Sequence, residues 1–499
     1  MTTPLALFAR ARTWGDRVAI ADAHGEFSYD QLLADSRRGA ARLLDGIADL
    51  GEARVAFMID PSYRYVVTQW STWRAGGVAV PLSLTSPVPE LEYALDTTTP
   101  AFVVSDGRHK DVLTPLAAAR GITHLVVDDL VSDVAQLPQL TPARRAMILF
   151  TSGTTGRPKG VVSTHANIEA QIRSLVTAWE WEAEDRILLT LPLHHVHGIV
   201  NVLGCAAWSG ARCDVLPAFD AAAVIDRLGS GDLTLFMAVP TIYHRLIARV
   251  EQLPAAEQER FKEAVGRLRL MVSGSAALPV SVLERWRDLS GHTLLERYGM
   301  TEIGMALSNP YRGERVPGSV GAPLPGVEVR LADEIDGPVT AGEPGEIQVR
   351  GPTVFSEYWE RPEETRDAFT DDGWFRTGDT AVLDEDGYRI LGRSSIDILK
   401  TGGEKVSALE VEAVLLEHDA VDEVAVVGVE DPDWGQRVVA VIVVRRHVEP
   451  DELRDWARAS LAPHKVPKEI HFTDALPRNA LGKTMKPKVV EMIADARPA

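Results

Sequence analysis

The chain has 499 residues, 45% of them hydrophobic and 25% charged, with a formal net charge of −19. That length exceeds what one hydrophobic core supports and corresponds to about three domains' worth of chain. The acidic balance argues against a nucleic-acid partner, which asks for a basic face, and against stable association with an anionic membrane.

In chain order, Ser28-Tyr29-Asp30-Gln31 has the form of a capping box and opens a helix through Leu44. Arg54 to Met58 reads as a strand, Tyr65 to Arg74 as a helix, and Val78 to Leu82 and Phe102 to Val104 as further strands. Strand and helix in alternation imply layered α/β structure with largely parallel sheets. After the apolar stretch Met147-Ile148-Leu149-Phe150 comes Thr151-Ser152-Gly153-Thr154-Thr155-Gly156-Arg157-Pro158-Lys159-Gly160. Glycines there let amide N–H groups converge on phosphate oxygens, hydroxyls add donors, and Lys159 neutralises charge. The segment is not the common P-loop, because Pro158 and the β-branched Val161-Val162 follow where a helix would start. It reads as strand, phosphate-wrapping loop, strand, and its ligand as a nucleoside triphosphate.

Ile187 to Ala207 is the most apolar long stretch, but Pro192, His194, His195, His197 and Asn201 interrupt it short of the ~18 residues of a membrane span. Cys205 and Cys213 are the two cysteines, too few for a disulfide framework, so a reducing cytoplasm is expected. They lack the paired spacing of a zinc site and read as buried apolar thiols. Arg10, Arg12 and Arg17 stand near the start without the apolar core of a secretory signal; a mitochondrial transit peptide is the lesser alternative. From Gly318 the texture changes to short strands, including Val327 to Arg330 and Glu346 to Val349. After Gly392 a smaller α/β unit begins, with a helix from Ala408 to Leu416 and strands Val424 to Val429 and Val438 to Val444.

Five motifs stand in one order: the phosphate loop, Glu296-Arg297-Tyr298-Gly299-Met300-Thr301-Glu302, Arg376-Thr377-Gly378-Asp379, Gly392-Arg393-Ser394-Ser395-Ile396-Asp397, and Pro477-Arg478-Asn479-Ala480-Leu481-Gly482-Lys483. Together they resemble the adenylate-forming superfamily of acyl-CoA synthetases, luciferase and peptide-synthetase adenylation domains, over almost the whole chain. The resemblance implies an α/β fold with a large N-terminal AMP-binding domain of several subdomains (residues 1–392) and a small mobile C-terminal domain (residues 393–499). It implies ATP, Mg²⁺ and coenzyme A as small-molecule partners, and two half-reactions. In the first, Glu302 holds Mg²⁺, Thr301 contacts the α-phosphate, and Lys483 bridges the attacking carboxylate and the α-phosphate. Glu296, Tyr298 and Ser275, the last in Gly274-Ser275-Ala276, belong to the adenine pocket, and Asp379 and Arg393 to the ribose and phosphates. In the second, rotation about Ser395 brings Gly402, Gly403 and Glu404 to line the thiol tunnel, with His195 beside the thiol path. Ser395 departs from the Asp or Lys usual at that hinge.

Arg297 bears on the substrate. In the resemblance this position faces the acyl pocket and is neutral in most relatives, whereas a buried unpaired cation is strongly unfavourable. A second carboxylate on the substrate answers it with a bidentate pair. Glu296 to Pro310 and Val239-Pro240-Thr241-Ile242-Tyr243-His244-Arg245 resemble malonyl-CoA synthetases, with Arg245 as a second contact to the distal carboxylate. The expected reaction is ATP-dependent ligation of malonate, or methylmalonate, to CoA. The alternatives are a CoA ligase for another acid, an enzyme loading a carrier protein, and a non-catalytic nucleotide-binding scaffold.

Overall fold

The computed structural model describes residues 5–133, 136–151, 158–393, 396–401, 404–431, 435–478 and 484–495. The expectations for Ser152, Gly153, Thr154, Thr155, Gly156, Ser395, Gly402, Gly403 and Lys483 lie outside the described residues.

Local sequence forms the elements much as expected. Ser28 caps the helix Tyr29–Leu44 in a complete capping box with Gln31. The strand Arg54–Met58 and the helix Ala408–Leu416 fall at the expected residues, and the next helix begins earlier, at Tyr63, where Ser62 caps it. The strands Arg145–Thr151 and Lys159–Thr164 pair antiparallel with Thr151 opposite Lys159, so the phosphate loop joins two strands and opens no helix.

Among the described residues, four sheets organise the chain. A seven-stranded sheet has the parallel strands Val78–Pro81, Arg54–Met58, Phe102–Ser105 and Thr123–Val126 beside that antiparallel pair. A nine-stranded sheet has a parallel centre of Val18–Asp22, Arg212–Val215, Arg186–Leu189, Leu235–Ala238, Leu270–Ser273 and Leu295–Met300, with antiparallel strands at both edges. The β-rich region is a four-stranded antiparallel sheet, Glu328–Ala332, Gly345–Arg350, Phe375–Asp384 and Gly387–Arg393. A five-stranded sheet after residue 397 builds the small C-terminal domain. Its strand Gly435–Val444 is buried from Val438 to Ile442, as an apolar run in a sheet centre should be. One large apolar core joins residues from Leu5 to Tyr388, and separate cores begin at Leu399. Cys205 and Cys213 are free and buried. Among the described residues, no helix is long and apolar enough to cross a membrane.

One side chain ties the phosphate-loop hairpin to the rest of the large domain. Asn167 Oδ1 accepts from the Thr164 backbone N–H at 2.9 Å and hydroxyl at 2.7 Å, capping the helix His165–Ala178, while its Nδ2 donates to the Pro352 and Val354 carbonyls at 2.9 and 2.8 Å. Asn167→Ala removes the side-chain half of the capping box and both ties while the Thr164 Oγ cap on the residue-167 N–H remains, and unfolding by urea should show a loss of about 2 to 3 kcal/mol. A loss no larger than that of an ordinary surface substitution contradicts this.

Candidate active site

The parallel strands Leu235–Ala238, Leu270–Ser273 and Leu295–Met300 end side by side, with Ala238 beside Ser273 and Ser273 beside Glu296. The carboxyl ends of parallel strands are where open α/β sheets bind ligands. Three segments leave from this edge: the turn Gly274-Ser275, the helix Pro240–Val250 carrying Arg245, and the run Arg297 to Glu302. Ser275 takes a φ of 70°, in the left-handed region that a non-glycine residue rarely occupies.

Arg297 is 2% exposed. Its Nη2 donates to Ser275 Oγ at 3.2 Å, while Nε and Nη1 have no hydrogen-bond partner among the described residues. No acidic side chain among the described residues pairs with it, and burial pulls its pKa down to about 9. The guanidinium fits against Gly274, where a Cβ would lie 2.6 Å from Cζ, so glycine is required for the close approach. His197 closes the pocket, its Nδ1 3.3 Å from Ser275 Oγ and its Nε2 unpartnered. Burial depresses the pKa values of His194 to about 3, His195 to about 4, and His197 well below the ordinary value, with Arg297 adding to the effect at His197. All three rings are neutral near pH 7, and those of His194 and His195 lie 4.1 Å apart. The site therefore presents a cation whose neighbours are neutral.

A second cluster lies along the same run. Tyr298 donates its hydroxyl to Asp379 Oδ2 at 2.6 Å, and Arg393 Nε donates to Asp379 Oδ1 at 3.0 Å, which brings three of the expected nucleotide residues together. Thr301 is half-buried in the turn before Glu302. Glu302 is 5% exposed, accepts from the Tyr358 hydroxyl at 3.1 Å, and has its pKa raised by burial against the pull of Tyr358, Arg393 and Lys159. Lys159 pairs with Glu364 at 2.8 Å and lies 4.7 Å from the centre of the Tyr358 ring. Glu296 is buried, accepting the Leu278 N–H at 3.0 Å through Oε1 and leaving Oε2 unpartnered. That bond holds the far end of the Gly274 to Leu278 turn.

Two of the expected residues stay apart from these clusters. Arg245 is exposed on its helix, with its guanidinium 6.0 Å from the Phe219 ring centroid, and no contact joins it to Arg297. Glu404 is exposed at the start of the strand Glu404–Ser407, opposite Thr401. Tyr358, Glu364 and His197 are site residues that no local sequence pattern assigned, whereas Gly274 lies in the turn expected to line the pocket.

Comparison with known proteins defines the class. The AMP-binding enzyme family model matches residues 7–359 and that of the AMP-binding enzyme C-terminal domain matches residues 410–483. The chain belongs to the AMP-binding enzyme family. It is 47% identical over 526 residues to the mitochondrial malonate–CoA ligase of Mus musculus, covering 98% of this chain and 90% of that protein. A malonate–CoA ligase of Arabidopsis thaliana is 39% identical, covering 96% of this chain and 87% of that protein. The crystal structure of ATP-bound MatB from Rhodopseudomonas palustris superimposes with a TM-score of 0.91 at 36% identity, covering 99% of each chain.

Glu296 gives the site a measurable pH signature. Burial raises its pKa from the ordinary 4.5 to about 7, so the folded chain holds this proton more tightly than the unfolded chain. A group of that kind lowers stability as pH rises between the two values. Glu296→Gln keeps an acceptor for Leu278 and abolishes that slope, making the variant more stable than wild type at pH 8 by on the order of 2 to 3 kcal/mol. Equal slopes in urea unfolding between pH 5 and pH 8 contradict the assignment.

Proposed function

We propose that this protein joins malonate to coenzyme A through a malonyl-adenylate. In the first step a malonate carboxylate oxygen attacks the α-phosphorus of ATP and pyrophosphate leaves. In the second, the CoA thiolate attacks the acyl carbon, AMP leaves, and the thiol proton passes to solvent. The observation that carries the reading is Arg297, a buried guanidinium with two unpartnered nitrogens and no counter-ion among the described residues. A monocarboxylate leaves that cation buried beside a methyl group; the distal carboxylate of malonate gives it a planar, charge-assisted pair. The malonate–CoA ligases among the relatives support the same substrate.

The other residues take roles consistent with their positions. Thr151 to Gly156 and Lys159 hold the phosphates, with Glu364 yielding Lys159 to them. Tyr298, Ser275 and Glu296 form the adenine side, and Asp379 and Arg393 take the ribose and phosphates. Glu302 suits Mg²⁺, because among the described residues its buried carboxylate has one side-chain hydrogen bond and a nearby cation would offset the cost of its charge. Glu302 would hold Mg²⁺, which when bound would supply charge neutralisation on the phosphates, and Thr301 would orient the α-phosphate. Lys483 serves adenylation only. Residues 393–499 then turn about Ser395 to present Gly402, Gly403 and Glu404 to the thiol, with the neutral His195 beside its path. Arg245 is assigned to the mouth of the acyl pocket, where its exposure lets it meet the incoming dicarboxylate. We assign the enzyme to a reducing compartment, in line with its two free thiols. The cytoplasm is the reading for this chain, although several relatives are mitochondrial by name.

Arg297→Leu tests the substrate. It should lower kcat/KM for malonate by roughly 30-fold to several thousand-fold, corresponding to 2 to 5 kcal/mol, and leave butyrate equal or improved. Arg297→Lys should fall between, keeping charge without the planar fork. An equal fall for malonate and butyrate assigns Arg297 to the adenylate or the fold.

A further inference from the structure

The C-terminal domain holds a buried charge cluster that the roles above leave unused. Lys486 Nζ lies 2.6 Å from Asp397 Oδ1 and 2.7 Å from Glu412 Oε1, with side chains 11%, 16% and 14% exposed. Glu412 Oε1 also accepts the Val426 N–H at 2.7 Å, which fixes it to the sheet. Buried pairs of this kind are little screened and strict in geometry, and removing one partner strands the other charge.

The cluster joins two places that matter to the reaction. Lys486 opens the helix Lys486–Asp495 three residues after Lys483, and that helix packs by Val489 and Ile493 on the C-terminal sheet. Arg478 and Thr484 form a bridge, and the Met485 N–H donates to the Pro477 carbonyl at 2.8 Å, so both ends of the segment around Lys483 are closed at one root. Asp397 is the other place. Its Oδ2 accepts the Arg393 N–H at 3.1 Å, its own N–H donates to the Arg393 carbonyl at 2.7 Å, and its carbonyl accepts the Ala408 N–H at 2.7 Å. One carboxylate thus holds Arg393 with one oxygen and the root of the Lys483 segment with the other. Arg393 continues the line to Asp379 and Tyr298.

We propose that Lys486, clamped by Asp397 and Glu412, is a positioning residue that sets the aim of Lys483 in the adenylation step. This rests on the acyl-adenylate reading above. Because Lys483 serves only the first half-reaction, loss of the clamp divides the two half-reactions, which a purely structural role does not do.

Acid-dependent ATP–pyrophosphate exchange and thioester formation from preformed malonyl-adenylate are measured in Lys486→Met and in Lys488→Met, an exposed neighbour on the same helix. Misplacement of a reacting group by about 1 Å costs on the order of 100-fold, so exchange in Lys486→Met should fall about 10- to 100-fold while thioester formation stays within about 2-fold. Lys488→Met should change neither. Equal falls in both half-reactions, or no fall in exchange, overturn the proposal. If Lys486→Met is not recovered folded, Lys486→Arg is read in the same two assays; it keeps the charge, and exchange alone should fall. Wild-type exchange with malonate runs alongside. Its failure strikes the substrate reading only, since the division is then read with whichever acid the wild-type protein activates.

Discussion

A guanidinium taken out of water with no counter-ion among the described residues is the constraint around which this site is arranged. Moving such a group into a low-dielectric interior costs several kcal/mol, and a chain under no other demand replaces it with an apolar side chain. Here the surroundings preserve the cost. Gly274 admits the guanidinium, Ser275 gives it one neutral acceptor, and the neighbouring histidines are held neutral by burial. The one carboxylate next to it in sequence, Glu296, points to the Leu278 N–H. A pocket that already contained an acid would have spent the cation's charge inside the protein; among the described residues, this one does not.

The rest of the geometry follows from the sheet. Parallel strands ending together deliver Ser275 and the run from Glu296 to Glu302 to one edge, and alternation along the strand sends Arg297 and Tyr298 to opposite faces. The unpaired cation and the Tyr298–Asp379 cluster thereby stand on adjacent residues of one strand. Asp379 takes Tyr298 through one oxygen and Arg393 through the other, so the β-rich sheet and the chain leading to the C-terminal domain meet the strand Leu295–Met300 at one carboxylate.

Much of this was legible in the sequence because it is local. Ser28 and Gln31 sit three residues apart, and the capping box they announce is there; Pro158 and the β-branched residues after it announced a strand, and Lys159–Thr164 is one. Arg297 stood out because an arginine in an apolar pocket needs a reason. What the sequence hid is pairing between distant segments. Tyr358 reaches Glu302 across 56 positions and Glu364 reaches Lys159 across 205, with no periodicity or spacing to record either. The same holds for Lys486, an unremarkable lysine in a basic stretch until the fold sets Asp397 and Glu412 beside it. Arg245 shows a different limit: the motif marked it as a second contact to a distal carboxylate, and the fold shows it exposed with its guanidinium 6.0 Å from the Phe219 ring centroid.

The most direct test of the unpaired cation uses the unaltered protein and two acids of one shape. Acetoacetate replaces the distal carboxylate of malonate by a neutral acetyl group, so the pair differs chiefly in the charge offered to Arg297. The ratio of kcat/KM values for malonate over acetoacetate, at one pH and ionic strength, should be on the order of 100 or more if that carboxylate completes a buried charge pair. A ratio near one contradicts the account.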